Sequence, residues 1–587
     1  MKLKKVLAIS LSLCMLFGMS LDSMASSPNP GSTPINVPDN GNYAVTFDGD
    51  LNVEDEGIAV SVVNKSSFDT KTTQAVINGD VSLSNANDSN SIAAHAVEAV
   101  SLDSQSNVYV RVEGDVDSYS YGDRSVAVST VNTGGDIDVV VEGDVYSSSI
   151  ESGAFGISSE GDQAGKTTIN INGSVGANSA NANATGVAIY ADTEARIAGS
   201  VNANGDNAMG VAVYGGETEV YIDGGIFAYA HGTDEDDNAI GLVVESDRND
   251  VYVNVGESIY AESESGKSGA ILVNAGEKDI FVEANGDVVS DDIGIEYRCY
   301  DKSGKTDIII DGTLDAAGNA VTLSSGKKKA GDEPDFSNFN LYVWKINLDK
   351  KENIATMLDV EASKNSGKHV YAPVRDFELN NIHYIIDMDN GYDDGLYSVT
   401  KEDGSALDQK EGRFVAKEGT KLLIKPNNSS ELCITGLYDL EGNELPLSTD
   451  GNGNYYVIVK KGGGVYVCPI FDYNADYYGA LEYGIDPTLP KAEIIRRMEV
   501  IDTVRILDKV ASDKPAKFVC TQNSLDEDIV KVLMERKSAT TIYCSINDIY
   551  GSITIPAGAD LTKIQGYGGA VSIKALSDAF GFTPVKD

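Results

Sequence analysis

Two carboxylates that could share a reaction stand side by side in Ser290-Asp-Asp-Ile-Gly-Ile295, as Asp291 and Asp292. Glycosidic hydrolysis needs such a pair, one group to activate water or attack and one to protonate the leaving oxygen. The competing reading is a polar corner entering a strand, Ile293-Gly-Ile-Glu-Tyr297. Thr233-Asp-Glu-Asp-Asp-Asn238 is the densest acidic loop, and calcium is the ion its oxygens would suit. The loop lacks the spacing and the distal Glu of an EF-hand and reads as a solvated turn. Elimination chemistry would need an Arg or Lys base beside a calcium-holding carboxylate cluster. His95 and His231 are the histidines of the N-terminal half, and neither sits in a catalytic context. No Ser-His-Asp or Cys-His motif and no phosphate-binding Gly loop is present. The sequence therefore assigns no catalytic, metal-binding or cofactor-binding residue, and calcium is the one candidate ion.

Aromatic side chains are the second chemical resource, since sugar platforms use exposed ring faces. Trp344 is the single Trp and occupies an alternating position that reads as core. Of the 29 tyrosines, Tyr109, Tyr190, Tyr214, Tyr221 and Tyr252 fall within the repeats described next. Pattern alone leaves open whether they stack in a core or line a lateral groove.

The elements that position these groups repeat a unit typified by Ile137-Asp-Val-Val-Val-Glu-Gly143-Asp-Val145. It alternates apolar and polar residues, reaches a Gly at which the chain can bend, and restarts as a strand. Gly-Asp-Val or a near variant recurs at Gly49, Gly79, Gly114, Gly143, Gly173, Gly199, Gly224, Gly256, Gly286 and Gly312, about 29 residues apart on average. Between anchors lies a second signal, as in Ser125-Val-Ala-Val128, Gly186-Val-Ala-Ile189, Gly210-Val-Ala-Val213 and Gly241-Leu-Val-Val244. Three strands per repeat of this length predict a right-handed parallel β-helix of about ten coils, mainly β in class. At roughly 4.8 Å per coil the body would be a rod of roughly 50 Å. An antiparallel sandwich is the alternative, disfavoured by the regular spacing and few Asn-Gly turns.

Met1-Lys-Leu-Lys-Lys5, the apolar run Val6 to Met19 and Ser23-Met24-Ala25 read as a signal peptide over residues 1–25. The run is too short for a comfortable membrane span, and no later run is long enough. Residues 26–41 hold Pro28, Pro30, Pro34 and Pro38 and read as an irregular linker. Ninety acidic against 45 basic side chains give a formal charge of −45, which repels nucleic acid and anionic lipid. Five cysteines remain after the signal: Cys433 with Cys468 and Cys520 with Cys544 could pair or stay as thiols, and Cys299 is left over.

The Gly-Asp-Val and Gly-Val-Ala-Val signals over 42–326 resemble the β-helical passenger regions of secreted bacterial surface proteins and adhesins, and more distantly the pectate-lyase-like superfamily. That superfamily includes lyases and polygalacturonases, and Asp291-Asp292 is similar to the Gly-Asp-Asp segment of the latter. Ser290 replaces the Gly, however, and the accompanying Asn-Thr-Asp, His-Gly and Arg-Ile-Lys motifs are missing. With no membrane barrel in the sequence, the resemblance points to a Gram-positive type of secretion.

Residues 327–334 read as a hinge, and 335–471 as strand-rich without the period. There Glu418-Gly-Thr-Lys-Leu-Leu-Ile424 and Ile434-Thr-Gly-Leu-Tyr438 resemble the internalin-repeat-like β modules of Gram-positive surface proteins, which implies a stalk or spacer. Residues 472–587 read as a small α/β module. It would hold a helix over 490–510, a helix opened by the capping box Ser524-Leu-Asp-Glu527, and a hairpin turning at 548–551. Ile555-Pro-Ala-Gly558 with Gly566-Tyr-Gly-Gly569 resembles a terminal module of large secreted Gram-positive β-helix proteins, to which no activity attaches.

The expectation is a secreted or cell-surface β-helix protein acting in adhesion, scaffolding or ligand binding. Its partner would be an extracellular glycan or a surface protein. The rival from another class is a calcium-dependent polysaccharide lyase or glycoside hydrolase of the same fold, and a third reading is a self-assembling envelope component.

Overall fold

The computed structural model describes residues 24–584 except 27–31, 38–42, 55, 66–70, 87–92, 105, 162–164, 247–248, 300–303, 326–335, 349–354, 362–368, 373–380, 428–431, 441–443, 446–447, 450–454, 474, 488 and 548. Residues 1–23 of the expected signal and the hinge 327–334 lie outside the described residues, as does Asp548. The chain forms two compact units: residues 1–387 with 401–422 and 458–466, and residues 388–400 with 423–457 and 467–587.

In the first unit the repeats form a parallel β-solenoid of about 9 turns, and the protein is mainly β as the alternation predicts. Each turn holds three strands, for example Ile137–Val141, Val145–Ser149 and Ala154–Gly161. The first pairs residue for residue with Ser106–Val112 of the turn before and Thr167–Ile171 of the turn after, so Asp138 stands between Tyr109 and Thr168. The second pairs with Val116–Ser120 and Val175–Ser179, and the third with Ser125–Asn132 and Ala184–Ile189. Three parallel ladders result, referred to as first, second and third.

Alternation decides which side chains face in. Ile137, Val139 and Val141 are buried while Asp138 and Val140 between them are only partly so. Each such branched side chain contributes about 1.5–3 kcal/mol by leaving water, and stacking gives it an apolar neighbour above and below. The interior is not wholly apolar: Ser125 Oγ donates to Ser118 Oγ at 2.9 Å, and Ser147 Oγ donates to Ser125 Oγ at 3.0 Å. These hydroxyls satisfy one another along the stack, and from Ala154 onward an alanine cluster succeeds them.

The Gly-Asp corner works differently from the bend expected of it. Of the ten anchor glycines, only Gly49 has a positive φ, at 103°. The others are required by close approach. A Cβ on Gly143 would lie 2.1 Å from Asp115 Oδ1 of the preceding turn. That oxygen accepts the backbone N–H of Asp144 at 2.8 Å, Asp80 Oδ1 accepts from Asp115 N at 2.9 Å, and Asp144 Oδ1 accepts from Ser174 N at 2.7 Å. Where Ser replaces Asp the hydroxyl takes over, as Ser174 Oγ accepts from Ser200 N at 3.2 Å. The corner thus needs a short side-chain acceptor above a residue without a side chain. Asp115→Ala is expected to cost about 1 kcal/mol in a urea melt, the value of a lost backbone-to-side-chain bond. Asp115→Ser should recover most of it, and equal losses in both variants would contradict the ladder.

Two stretches differ from expectation. Within the presumed irregular linker, Ile35–Val37 is a strand paired with Ile58–Asn64. The residue before a proline is pushed towards extended backbone, so Val37 ahead of Pro38 suits a strand end. Beyond 326 the stacking continues: Phe339–Ile346 pairs in parallel with Thr306–Ala316, and Ile382–Met388 pairs in parallel with Phe339–Ile346. No Gly-Asp corner marks these turns, which is why the period is lost in the sequence. Asp408–Lys410 and Arg413–Ala416 then form a hairpin whose second strand pairs antiparallel with Ile382–Met388.

The second unit includes an α/β module. Helix Lys491–Lys509 buries Ile494, with Pro490 at its N-cap position rather than in its first turn. Strands Ala516–Val519 and Thr540–Ile546 pair in parallel, and Ile549–Ile555 closes an antiparallel hairpin. The hairpin turns earlier than expected, with Asn547 at φ 49°. Helix Glu527–Glu535 buries Ile529 and Leu533, but Asp526 is its N-cap and Ser524 belongs to a two-stranded pairing with Ser572. The capping box is therefore absent, because its Ser is held by a strand. All five described cysteines are free. Cys433 stands opposite Asp472 and Cys468 opposite Tyr438, so that couple is out of register.

Candidate functional site

The carboxylates singled out by the sequence lie at solenoid corners. Asp291 accepts from Ser268 Oγ and from the backbone N–H of Ser263 at 3.4 Å, and the Asp292 N–H donates to Ser268 Oγ at 3.0 Å and to Ser290 Oγ at 3.2 Å. The pair is bonded into the corner that opens strand Ile293–Cys299. In the acidic loop, Asp237 Oδ2 accepts from Asp234 N at 2.8 Å, Asp237 Oδ1 accepts from Asn207 Nδ2 at 3.4 Å, and Asn238 Oδ1 accepts from Lys267 N at 3.1 Å. These are turn and ladder bonds of the same kind as at the Gly-Asp corner. Among the described residues no group of three or more His, Cys, Asp or Glu is placed to hold a metal ion.

His95 is shielded from water, which lowers its basicity, and its Nδ1 lies 3.9 Å from Glu98 Oε1. His231 Nε2 lies 3.1 Å from the Ser179 carbonyl and Nδ1 3.6 Å from Asp206 Oδ1. The two histidines are in different turns and share no partner. Trp344 packs, half-buried, against the cluster of Ile309, Ile385 and Val415.

Tyr190, Tyr214, Tyr221 and Tyr252 resolve as outward-facing ring pairs rather than core. On the first ladder Tyr221 and Tyr252 have ring centroids 5.4 Å apart, and Tyr252 and Phe281 are 5.1 Å apart with planes 3° from parallel. The Arg196 guanidinium covers Tyr221 at 4.3 Å, and Tyr252 Oη donates to Glu283 Oε2 at 3.3 Å. Tyr109 stands opposite Asp138 near the other end. On the third ladder Tyr190 and Tyr214 stack at 4.9 Å and 9°. Faces turned towards one another at these spacings cannot also carry a sugar ring.

The C-terminal end of the first ladder's face is covered by the chain itself. Lys410 of the hairpin bonds Asp307 Oδ2 at 2.7 Å and sits 5.5 Å from the Phe281 ring centroid. Arg413 forks between Asp311 and Glu283, reaching Glu283 Oε1 at 2.6 Å. Burial alone would raise the Asp307 carboxyl, but the Lys305 and Lys410 ammonium groups outweigh it and hold it below its ordinary range. A lateral groove along these tyrosines is accordingly closed at this end.

One carboxylate on this face is unmatched. Asp138 Oδ1 is buried without a hydrogen-bond partner, and burial pushes its pKa up to about 6. A folded value above the unfolded one near 4 means that the proton favours the fold. That contribution is complete below about pH 4 and lost as pH rises through about 6. Asp138→Asn should therefore stabilise the protein by about 1–2 kcal/mol at pH 8 and leave it unchanged at pH 4. Urea midpoints at the two pH values check this, and a pH-independent difference would refute it.

Two aromatic residues absent from the set above are exposed without a stacked ring partner among the described residues, whereas Tyr190, 45% exposed, is stacked on Tyr214. Tyr146 and Phe227, on the second ladder, are 42% and 38% exposed. Each directly follows the apolar residue of an anchor, Val145 and Ile226, so period-two alternation places them outward. That signal was available in the sequence. Compared with protein-family models, with curated proteins and with solved structures, the chain matches none of them.

Proposed function

We propose that this chain is a non-catalytic solenoid protein of the extracellular space or cell surface, exported in the Gram-positive manner, that acts in adhesion, scaffolding or ligand binding. The observation that carries the reading is the use to which its polar residues are put. Asp80, Asp115, Asp144, Asp237 and Asp291 hold one turn to another or close a turn, which leaves the outward faces of the ladders as the surface available to a partner. The N-terminal run Val6 to Met19 supports export. The charge of −45 favours uncharged or cationic partners over nucleic acid.

The test is incubation of the purified protein with plant and host polysaccharides, with and without calcium. Retention without new reducing ends or unsaturated products is the expected result. Product formation that disappears in Asp291→Ala or Asp292→Ala would replace this reading with a hydrolase or lyase. Concentration-dependent light scattering with no retention would point instead to a self-assembling envelope component.

A further inference from the structure

The outward surface of the second ladder carries a run of unspent carboxamides. Its successive turns place Tyr146, Gly176, Asn202 and Phe227 in one row, and Ser148, Asn178, Asn204 and Tyr229 in the row beside it. Asn202 and Asn204 are exposed and Asn178 is half-buried. Among the described residues, the carboxamides of these three make no hydrogen bond within the protein. On the first ladder, by contrast, Glu194 is bonded to Lys166 and Arg196, Asn254 to Glu283, and Glu283 to Arg413.

The rings at the two ends are also held differently from the stacked tyrosines. Tyr146 lies over Gly176, its Cδ2 2.7 Å from where a Cβ on that glycine would stand. Phe227 rests against Gly225, with ring atoms 3.0 Å from the corresponding Cβ position. Each glycine makes room for a ring against the backbone, and neither ring is covered by another aromatic of its row. The Cα atoms of Tyr146 and Phe227 are about 14 Å apart at the usual parallel-strand spacing, roughly the reach of two or three sugar units. No charged side chain stands between them in the two rows.

We propose that this strip binds a neutral glycan lying along the solenoid axis. The proposal rests on the ligand-binding reading above and names its ligand class and its residues. Ring faces at Tyr146 and Phe227 would pack against the apolar C–H faces of sugar rings. A carboxamide both donates and accepts, as a sugar hydroxyl does, so Asn178, Asn202 and Asn204 suit the groove edge of the same ligand. A polyuronate would meet an uncharged strip on a strongly negative protein and find no cation to offset its charge.

Isothermal titration of the full chain with cellohexaose, xylohexaose, mannohexaose and hexagalacturonate tests this. One of the neutral hexasaccharides should bind and hexagalacturonate should not. Tyr146→Ala and Phe227→Ala should each weaken binding at least tenfold with the melting curve unchanged, and Asn202→Ala severalfold. Tyr221→Ala, on the self-stacked face, should leave affinity as it was. Neutral-glycan binding that survives the Tyr146→Ala/Phe227→Ala double variant would overturn the strip, as would preferential binding of hexagalacturonate. Either result leaves the broader binding reading intact. Absence of binding by any neutral hexasaccharide overturns the strip alone, because polysaccharide retention is measured separately.

Discussion

Gly210→Val is expected to lower the stability of the solenoid by about 3 kcal/mol, with Gly210→Ala costing about 1–2. Gly210 lies in strand Ala208–Tyr214 of the third ladder, where a Cβ would stand 2.3 Å from Ile226 Cγ2 and 2.5 Å from the carbonyl oxygen of Gly241 in the next turn. The same geometry recurs at Gly186, with Val201 Cγ1 at 2.4 Å and the Gly210 carbonyl at 2.6 Å, and at Gly241, with Ile259 Cγ2 at 2.6 Å. Methyl groups can shift, but a carbonyl that accepts a ladder bond moves only with its whole strand. Each turn is stabilised chiefly by its neighbours, so the damage should spread to the strands on either side. Hydrogen exchange should show lost protection across Ala184–Ile189, Ala208–Tyr214 and Ala239–Glu245. Met209→Val, on the outer surface of the same strand, should cost about 1 kcal/mol or less. A Gly210→Val protein that melts with the wild type would show that the third ladder tolerates a side chain at this position.

That prediction separates what was legible in the sequence from what was not. The strand alternation, the anchors and the Gly-Val-Ala-Val segments announce a parallel solenoid because each is a local consequence of stacking. The reason for each glycine is not local. Gly143 and Gly210 look alike as letters; one accommodates a carboxylate oxygen and the other a carbonyl and a methyl, and both neighbours belong to other turns. The turns beyond 326 were hidden for a related reason, since Phe339–Ile346 joins the ladder through pairing alone, without a corner motif. The candidate site was legible in part. Tyr146 and Phe227 could be placed outward by counting from the anchors. The openness of their rings, against the mutual stacking of Tyr252 and Phe281, depends on side-chain directions that alternation does not fix.

Arg536→Met should destabilise the C-terminal α/β module by about 2–4 kcal/mol, the second large effect expected of a single substitution. Arg536 follows helix Glu527–Glu535 and is 4% exposed. Its guanidinium reaches the end of helix Lys491–Lys509, where Nη1 donates to the carbonyls of Leu507 and Val510 at 3.0 Å each. Nη2 donates to Ala511 O at 3.2 Å and to Lys514 O at 2.7 Å. Leu507 O belongs to the last turn of the helix and the other three carbonyls to the chain just after it; Leu507 O and Ala511 O also accept the N–H groups of Val510 and Lys514, and the buried cation adds its own bonds to all four and a positive charge at the negative end of the helix dipole. Methionine keeps much of the volume and leaves four carbonyls facing an apolar group, which isolates the polar contribution from packing. Arg536→Lys should recover less than half of the loss, because an ammonium on a flexible stem cannot fork to carbonyls spread over eight residues, 507–514. The loss should be confined to the module, with protection falling in Lys491–Lys509 and Glu527–Glu535 while the solenoid strands exchange as before. An Arg536→Met protein with wild-type exchange in both helices would mean that water replaces the guanidinium at no cost, and that the buried arginine does not hold the chain that leaves the long helix.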